Sequence, residues 1–546
     1  MSTQPDTRTT PLRDPAHPGD VPPVVADARP AMTHREVLEA LSGILLGMFV
    51  SILATSVVST SLPRIITDLD GSQSAFTWVV TATLLTTTIS TPIWGKLADL
   101  TNRKVLVQVA LVVSVVSSAL AGFSHSTEML IGMRALQGIG AGGLTALGTV
   151  LIADIISPRE RGRYMGLMGA VMAVGMVGGP LLGGVITDAA GWRWNFFVGL
   201  PFAVAAIVVL QRTLHLPALR KRRVRIDWAG AILLSAGIAT LLLWVTFAGD
   251  SFDWASWQTA AMVGGALVLL GAAVAVEHRA AEPIIPLRLF KDRTVVLAVV
   301  ASVAVGIALF GTQVYLSQYL QLARGRTPTE SGLLTIPMVL GLFLSSTLSG
   351  RAISRSGRYK KFMIAGAVLL VAGLGLMGTI DETTSFWLLG VYMAVLGIGV
   401  GMLMQNLVLA AQNTLPVQDV GSGTATIAFF RTLGGTLGVS ALGALLSHRV
   451  QDYMVDGLRA AHVDPALLGG SGGGASALPD VTTLPAPIRH VVEHAFGVGV
   501  ADLFLVAAPI ALLSLVAVLL LREVPLGNRS GIEQRLAAEE AGTAGA

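Results

Sequence analysis

Long apolar segments separated by short charged loops dominate this chain, and fourteen of them can be counted along it. A helix of about 20 apolar residues is long enough to cross the hydrocarbon core of a bilayer. Hydrophobic residues make up 53% of the chain and charged residues only 13%, too few to surround the cores of soluble domains. The sequence therefore predicts an all-α polytopic membrane protein. The segments lie near residues 38–61, 76–95, 105–123, 128–153, 164–187, 195–211, 228–247, 257–276, 295–320, 331–349, 361–379, 386–411, 423–447 and 498–521.

The basic residues indicate how these segments are oriented. An even number of crossings leaves both ends of the chain on one side, and lysine and arginine in short loops favour the cytoplasmic side. Basic residues concentrate in the loops near 95–106, 159–163, 212–225, 279–293 and 351–361, whereas the opposite short loops contain few. We therefore expect both termini in the cytoplasm and a location in the cytoplasmic (inner) membrane. The net charge of +4 reflects this orientation and predicts no nucleic-acid binding.

Two internal repeats divide the chain into halves. The loop GKLADLTNRKVL, residues 95–106, has a degenerate copy, GRAISRSGRYKK, that begins at Gly350. The sequence Ile-Gly-Ala-Gly at 139–142 returns as Ile-Gly-Val-Gly at 398–401. These repeats predict two six-segment halves with segments 7 and 8 inserted between them, a 6+2+6 plan. Such halves are typical of alternating access to a site at their interface.

The same features predict five regions along the chain. The N-terminal residues are polar and Pro-rich, as in disordered segments. A long outer loop, rich in Gly and Ala, is expected over 449–497. The regions are a disordered cytoplasmic tail (1–36), an N-terminal six-helix bundle (37–212), a two-helix insertion with basic linkers (213–293), a C-terminal six-helix bundle (294–522) and a cytoplasmic tail (523–546).

Three motifs make the chain resemble a known family. GKLADLTNRK resembles the signature between helices 2 and 3 of the major facilitator superfamily, and RALQGIGAGG resembles its helix-4 arginine motif. GMVGGPLLGG is similar to the helix-5 motif of its antiporters. With fourteen segments and WRWNFFVGLPF after segment 5, the chain resembles the 14-helix drug:proton antiporter branch, of the EmrB/QacA type. The resemblance covers roughly residues 35–525 and implies a major facilitator fold with fourteen transmembrane helices.

In that family the loop between helices 2 and 3 is a latch that holds the outward-facing state to the other half. The resemblance assigns this role to Gly95, Asp99 and Arg103, with Asp154 at the end of segment 4 as their partner. Gly95 lacks a Cβ and so permits close helix approach. The alternative is that these charges only set the topology. Asn102 departs from the family, which usually has Gly there, although Asn tolerates a left-handed backbone.

The family assigns proton coupling to the helix-4 arginine, which is Arg134 here. An arginine inside a membrane normally faces a cavity or a partner, although its long side chain could also reach the outer interface. The family's helix-1 aspartate is replaced by Ala54. Proton binding would therefore fall to acids near the helix ends, and the candidates are Asp99, Glu128 and Asp502.

The helix-5 motif contributes small residues and a proline. The glycines permit close helix packing, and a proline removes a backbone donor and kinks a helix. Plain small-residue packing would explain this pattern equally well. The resemblance adds a seal that is characteristic of antiporters, formed by Gly175, Gly179, Pro180, Gly183 and Gly184.

A few polar side chains in the C-terminal half are candidates for lining a largely apolar substrate cavity. Without a helix-1 acid, such a cavity would suit neutral, zwitterionic or anionic amphiphiles. The same side chains could instead hold helices together by hydrogen bonds. The candidates are Gln313, Gln318, Gln405, Asn406 and Arg431.

Together these observations predict a secondary active exporter of hydrophobic or amphipathic compounds, such as drugs and antibiotics, that works by proton antiport. Its partners would be the bilayer, small substrates and protons. The histidines lack metal-ligand spacing, Cys is absent, and no phosphate-binding loop is visible, so we expect no metal, no cofactor and no enzymatic activity. The alternatives are an exporter of a single endogenous metabolite or lipid, possibly without proton coupling, and a transporter-like membrane sensor.

Overall fold

The structure is a computed structural model that describes residues 34–69, 73–156, 158–213, 227–248, 252–280, 283–326, 328–416, 419–460 and 485–527. Within these ranges the chain is helical apart from loops and one isolated bridge between Ala248 and Phe252. The predicted tails, the linker over 214–226 and the centre of the predicted outer loop lie largely outside the described residues.

Fifteen α-helices are present in the described part of the chain. Short 3₁₀ turns over Trp192–Phe196 and Leu287–Lys291 precede α6 and α9, and a π-helical turn over Tyr319–Ala323 extends α9. The helices are α1 (His34–Asp68), α2 (Gln73–Leu100), α3 (Arg103–Gly122), α4 (Thr127–Ile155), α5 (Pro158–Ala190), α6 (Gly199–Thr213), α7 (Trp228–Phe247), α8 (Trp257–Arg279), α9 (Arg293–Gln318), α10 (Pro328–Leu334), α11 (Ile336–Ser356), α12 (Lys360–Met377), α13 (Phe386–Thr414), α14 (Val420–Ala460) and α15 (Ala486–Leu520).

Twelve stretches of the described helices are long and apolar enough to cross a membrane, compared with the fourteen crossings that the sequence predicts. The two predicted segments not among them lie in α2 and α5. In α2 the apolar run is interrupted by the threonine-rich sequence TATLLTTTIST, and α5 begins with the charged sequence PRERGR. Only the shorter stretch Val174–Thr187 of α5 is continuously apolar. The protein is an all-helical, multi-pass membrane protein.

The helices pack into two groups around separate cores. In the first group, α2 and α3 pack against α4, and α5 and α6 pack against α1. In the second, α14 packs against α9, α13 packs against α11 and α12, and α15 packs against α9 and α12. Contacts between the groups come mainly from α2 against α14 and from α5 against α11. These two contacts flank the space between the groups: α2 and α14 lie on one side of it, and α5 and α11 lie on the other.

Helices α7 and α8 pack against each other and lie beside the junction of the two groups. Asp227 caps α7, as its position before the apolar run predicts, by accepting a hydrogen bond from the Gly230 amide at 2.8 Å. An apolar cluster joins Ile238 and Leu242 of α7 to Phe429 of α14, with side chains of α2 packed against it. The inserted pair thus contacts one helix from each group.

The predicted outer loop over 449–497 is shorter in the structure. Helix α14 continues to Ala460 and α15 begins at Ala486, so helices occupy both ends of that stretch. Near the extension of α14, Asp502 of α15 accepts a hydrogen bond from the Tyr453 hydroxyl at 2.9 Å and lies 3.5 Å from Arg449. This polar contact joins the two helices.

Candidate functional site

A central cavity lies between the two groups of helices. Side chains from α1, α4 and α5 of the first group and from α13 and α14 of the second line it. Its volume is about 60 Å³, enough for a few water molecules and well below the ~300 Å³ of a pocket for a drug-sized ligand. The cavity is therefore nearly closed in this conformation. The lining residues are Met48, Ser51, Ile52, Thr145, Thr149, Met168, Met172, Met404, Gln405, Val408, Thr424, Ala428 and Arg431.

The lining combines four methionines with a few hydrogen-bonding groups. Methionine is unbranched and polarizable, so it adapts its shape to different apolar ligands. Thr145 and Thr149 lie one turn apart on α4 and present hydroxyl groups, and Gln405 adds an amide. Among the described residues of the lining, Arg431 is the one that carries a charge. The site thus suits apolar ligands that also carry a polar or negatively charged group.

Of the five predicted cavity residues, the structure places Gln405 and Arg431 in the lining. Asn406 is buried beside Gln405 but donates a 2.7 Å hydrogen bond to the Met402 carbonyl of its own helix. Gln313 is exposed on α9, and Gln318 is half-buried at the end of the same helix. Neither of the last two lines the cavity, because α9 presents other side chains to the interior.

The predicted latch is centred on a buried ion pair. Arg103 is the first residue of α3 and Asp154 is the penultimate residue of α4, and the guanidinium donates directly to the carboxylate. Arg103 Nε also donates to the carbonyl of Ala98 in α2 at 2.7 Å. A cation at a helix N-terminus and an anion at a C-terminus both oppose the helix dipole. Their pairing offsets that penalty and ties α2, α3 and α4 together.

The same end of α2 touches the other group of helices. A Cβ on Gly95 would collide with the Ala425 side chain of α14 and would lie 3.2 Å from the Gly421 carbonyl oxygen. Only glycine permits the two helices to approach this closely. Asp99 belongs to the same turn of α2, but its side chain lies outside the described residues. Asn102 has φ −71° and caps α3 by accepting from the Lys104 amide, so it adopts no left-handed conformation.

Arg134 is buried inside α4 and has an incomplete set of partners. One Nη donates to Gln137 at 2.5 Å, whereas Arg134 Nε and Gln137 Nε2 are buried without a hydrogen bond among the described residues. Arg134 and Thr145 are eleven residues apart, about three turns, so they share one side of α4 with ~16 Å between them along the helix. Ala54, at the position of the family's helix-1 acid, is buried in α1.

The other predicted proton carriers lie far from the cavity. Glu128 is exposed in the first turn of α4. Asp502 is partly exposed beside Arg449 in the extended part of α14. Within the described part of the chain no carboxylate lines the cavity. Any proton that enters the cavity therefore has no described acidic side chain to bind there.

The glycines of the helix-5 motif face α1, within the same group of helices. A Cβ on Gly175 would collide with Ile52, one on Gly179 with Ser56, and one on Gly183 with the Val57 carbonyl. Ser56 also donates to the Gly175 carbonyl at 2.9 Å. Gly184 is half-buried, and the side chain of Pro180 lies outside the described residues. The motif therefore brings α5 and α1 together beside the cavity residues Met168 and Met172.

Sequence reasoning missed the methionines and threonines that form most of the lining. Met48 and Met404 occur singly on α1 and α13, and nothing in the sequence marks them. Two pairs did carry a signal, because residues four apart share a helix face: Met168 and Met172 on α5, and Thr145 and Thr149 on α4. The rest of the site is assembled only by packing.

A multi-pass helical protein whose two groups of helices enclose a largely apolar cavity with a few hydrogen-bonding groups is built as a membrane transporter. The chain belongs to the Major Facilitator Superfamily, whose sequence profile matches residues 44–439. This membership makes it a transporter and not an enzyme.

Several relatives resemble the chain over most of its length. An uncharacterised MFS-type transporter of Mycobacterium tuberculosis is 34% identical over 522 residues, which are 94% of this chain and 74% of that protein. The multidrug transporter MdtP of Bacillus subtilis is 33% identical over 418 residues, 77% of each chain. The efflux pump dotC of Dothistroma septosporum is 31% identical over 508 residues, covering 92% of this chain and 86% of that pump.

Among solved structures, the human organic anion transporter MFSD10 (TETRAN) superposes with a TM-score of 0.56 at 15% identity. The superposition covers 87% of this chain and 99% of that chain. At this level of identity the likeness shows the shared fold alone.

Proposed function

We propose that this protein exports hydrophobic or amphipathic compounds, including drugs and antibiotics, by alternating access coupled to proton antiport. The observation that carries the proposal is the cavity between the two groups of helices, lined by five helices from both sides. Relatives named multidrug transporter or efflux pump, at 31–34% identity, favour export of such compounds.

Alternating access would require the contacts between the groups to break at one end and form at the other. At the end of the molecule that contains the α2–α3 loop, Gly95 of α2 packs against α14. We infer that this contact and the pair of Arg103 and Asp154 hold the conformation in which that end is closed. Export then proceeds when the contact opens, admits a ligand to the methionines and threonines, and closes behind it.

Proton coupling would depend on polar groups outside the cavity, because no described carboxylate lines it. The buried Arg134 with its unpaired Nε, on the same side of α4 as Thr145, favours a polar connection towards the opposite end of the bundle. Asp99 is the proton carrier that we propose first, because it shares the inner end of α2 with the latch. Without a described carboxylate in the cavity, an uncoupled exporter of one metabolite or lipid is the second candidate.

We propose fourteen crossings, with α2 and α5 as membrane helices. At 1.5 Å per residue their 28 and 33 residues extend over ~42 and ~50 Å, beyond the ~30 Å hydrocarbon core. Helix α2 packs against the candidate span α4, and α5 packs against the candidate spans α1 and α11. Both termini would then lie in the cytoplasm, with the protein in the inner membrane and α7–α8 inserted in a 6+2+6 plan.

This topology can be checked directly, because the chain contains no cysteine. Single cysteines introduced before residue 34 and after residue 527 should react with an impermeant maleimide from the same side of oriented vesicles. Reaction from opposite sides would leave an odd number of crossings and refute the fourteen-helix plan.

Transport in inverted vesicles tests the coupling. With an imposed inside-acid pH gradient, the vesicles should take up a neutral hydrophobic or an amphipathic substrate, and adding the substrate should collapse the gradient. Uptake at the same rate without a gradient would contradict proton antiport and favour the uncoupled exporter. Ligand binding without any movement would favour the membrane sensor.

A substitution at Asp99 separates a transport role from a topological one. We expect Asp99→Asn to abolish gradient-driven uptake while the protein still accumulates in the membrane. The matched control is Ser354→Ala, at the equivalent position of the second half, which should transport normally. Normal uptake by the Asp99→Asn protein would reduce the loop to a topology signal.

A further inference from the structure

Arg431 carries its charge at a depth in the membrane where burying a charge is unfavourable. It lies eleven residues after Val420, the first residue of α14, and therefore ~16 Å along the helix. That distance is about half the ~30 Å thickness of the hydrocarbon core. The residue is 8% exposed. A charged arginine at mid-membrane depth is costly unless an anion or another hydrogen-bond acceptor compensates it.

Other buried or partly buried arginines have such an acceptor. Arg103 is paired with Asp154, Arg134 donates to Gln137, and the Arg324 guanidinium donates to a main-chain carbonyl. For Arg431, no hydrogen bond or ion pair of the guanidinium is found among the described residues. Its side chain is directed into the central cavity instead. The N–H groups of the Arg431 guanidinium are therefore available to a ligand bound in that cavity.

The packing around Arg431 holds it at this point. A Cβ on Gly306 of α9 would collide with the Arg431 carbonyl, so α9 and α14 are in backbone contact there. With α9 against its backbone, the side chain of Arg431 extends towards α13 and the first group of helices. Gln405 and Thr424 also line the cavity and add neutral hydrogen-bonding groups to it.

We propose that Arg431 binds the carboxylate of amphipathic organic anions, whose apolar part packs against the methionines of the cavity. The guanidinium presents parallel N–H groups that match a carboxylate in a bidentate pair. No described acidic side chain lines the cavity, so an anion meets no repulsion and an organic cation meets no counter-charge. The unpaired arginine thus selects against the cations that a helix-1 acid would attract.

This inference rests on the proposed function, since it assigns a substrate class to the same cavity, but it is tested by binding without transport. The purified protein in phosphatidylcholine nanodiscs is titrated with three fluorescent probes of similar size: 1-naphthaleneacetate, the neutral 1-naphthaleneacetamide and the cationic 1-naphthylmethylammonium. We expect the anion to bind about tenfold or more tightly than the amide, because only the anion pairs with a desolvated guanidinium. The cation should bind least.

Variants locate this preference at one side chain. Arg431→Gln should remove the preference for the anion over the amide, and Arg431→Lys, which keeps the charge but not the planar fork, should retain part of it. The control is Arg355→Gln, an exposed arginine of α11, which should leave all three affinities unchanged. If the Gln variant fails to fold, the Lys variant and the three-probe comparison in the natural protein still decide.

Two results would overturn the proposal. One is an amide or ammonium probe that binds as tightly as the carboxylate, and the other is an undiminished anion preference in Arg431→Gln. These outcomes are independent of the vesicle assay. Loss of gradient dependence with an intact, Arg431-dependent anion site would refute proton antiport alone. A cation-selective site with gradient-driven uptake would refute the anion site alone.

Discussion

The two loops that the internal repeat relates, between α2 and α3 and between α11 and α12, are held in place in different ways. In the first, Arg103 pairs with Asp154 inside the protein. In the second, Gly357 ends α11 with a left-handed backbone at φ +69°, and the side chain of Arg358 is exposed. Arg103 is therefore buried in the first half, whereas Arg358, its counterpart in the repeat, is exposed to solvent in the second.

The difference continues at the helix that faces each loop. Asn413 follows Ile398 by as many residues as Asp154 follows Ile139, so the two are equivalent in the repeat. Among the described residues, Asn413 hydrogen-bonds to no arginine. Its amide donates to the carbonyls of Val524 and Pro525 at 3.2 Å, and its oxygen accepts from the Gly527 amide at 3.2 Å. The segment after α15 thus occupies the place that the ion pair fills in the first half.

The first loop therefore holds a buried ion pair, whereas the second keeps the basic side chain of Arg358 exposed and is covered by the chain's own C-terminal segment. Tyr359 strengthens that cover, since its hydroxyl accepts from the Val524 amide at 3.2 Å. A buried ion pair responds strongly to loss of either partner, whereas main-chain hydrogen bonds at a solvent-accessible edge can be replaced by water. The repeat relates the two loops, and the side chains place a buried ion pair in only the first of them.

The largest effect is expected from breaking the ion pair. Asp154→Ala leaves Arg103 buried without its carboxylate, and we expect a loss of about 3–5 kcal/mol in stability. The matched change in the second half, Arg358→Ala, should stay within about 0.5 kcal/mol because that side chain is exposed. Thermal unfolding of the detergent-purified variants measures both. Equal losses of stability in the two variants would show that the ion pair does not distinguish the first loop from the second.

A bulky residue at Gly95 tests the contact between the groups. Gly95→Val would push α2 away from Ala425 and Gly421, so the closed end should open. In the cysteine-free chain, a cysteine at Thr145 should then react faster with a water-soluble maleimide. The control is Gly132→Val on α4, where a Cβ meets nothing within 4 Å. Unchanged labelling in the Gly95 variant would mean that α2 and α14 do not close the cavity.

The glycine-lined contacts of α5 and α14 are equivalent in the repeat and should respond alike. Gly183→Ala would collide with the Val57 carbonyl of α1, and Gly434→Ala would come within 2.7 Å of the Val303 carbonyl of α9. We expect a loss of about 1–3 kcal/mol for each, as for other overpacked sites.

The control for both is Gly178→Ala on α5, where a Cβ meets nothing within 4 Å. Alanine favours a helix, so this change should be neutral or stabilising by up to about 1 kcal/mol. The melting temperatures of the three variants, compared with that of the natural protein, measure these changes in stability. Damage by the Gly178 variant, or tolerance of both others, would exclude close packing as the role of the helix-5 glycines.

The smallest effect is expected at the C-terminal segment. Asn413→Ala removes its bonds to the main chain over 524–527, at a cost of about 1 kcal/mol, because water can replace part of them. Transport should continue. Proteolysis of the C-terminal segment, followed by mass spectrometry, should be faster than in the natural protein. A loss of stability as large as that of Asp154→Ala would show that the second half depends on its C-terminal segment as strongly as the first half depends on the Arg103–Asp154 pair.

Part of the candidate site could be predicted from the sequence. The charged loop after α2, the acid at the end of α4 and the polar residues Gln405 and Arg431 all stand out against apolar surroundings. The equivalence of Asn413 and Asp154 was also available from the second repeat. Gln313 looks the same as Gln405 in the sequence, yet it is exposed on α9, since an apolar helix carries no period that marks its inner face.

The sequence by itself determined the membrane class, the helical segments, the two related halves and the family, because burial in a bilayer and close helix packing leave strong local patterns. Only the tertiary structure decided which polar residues meet, since a buried charge is governed by its neighbours in space. It placed Arg103 with Asp154, turned the helix-5 glycines towards α1, and left Arg431 facing the cavity. The sequence pointed to a transporter, whereas the packing of five helices defined the chemistry of its central site.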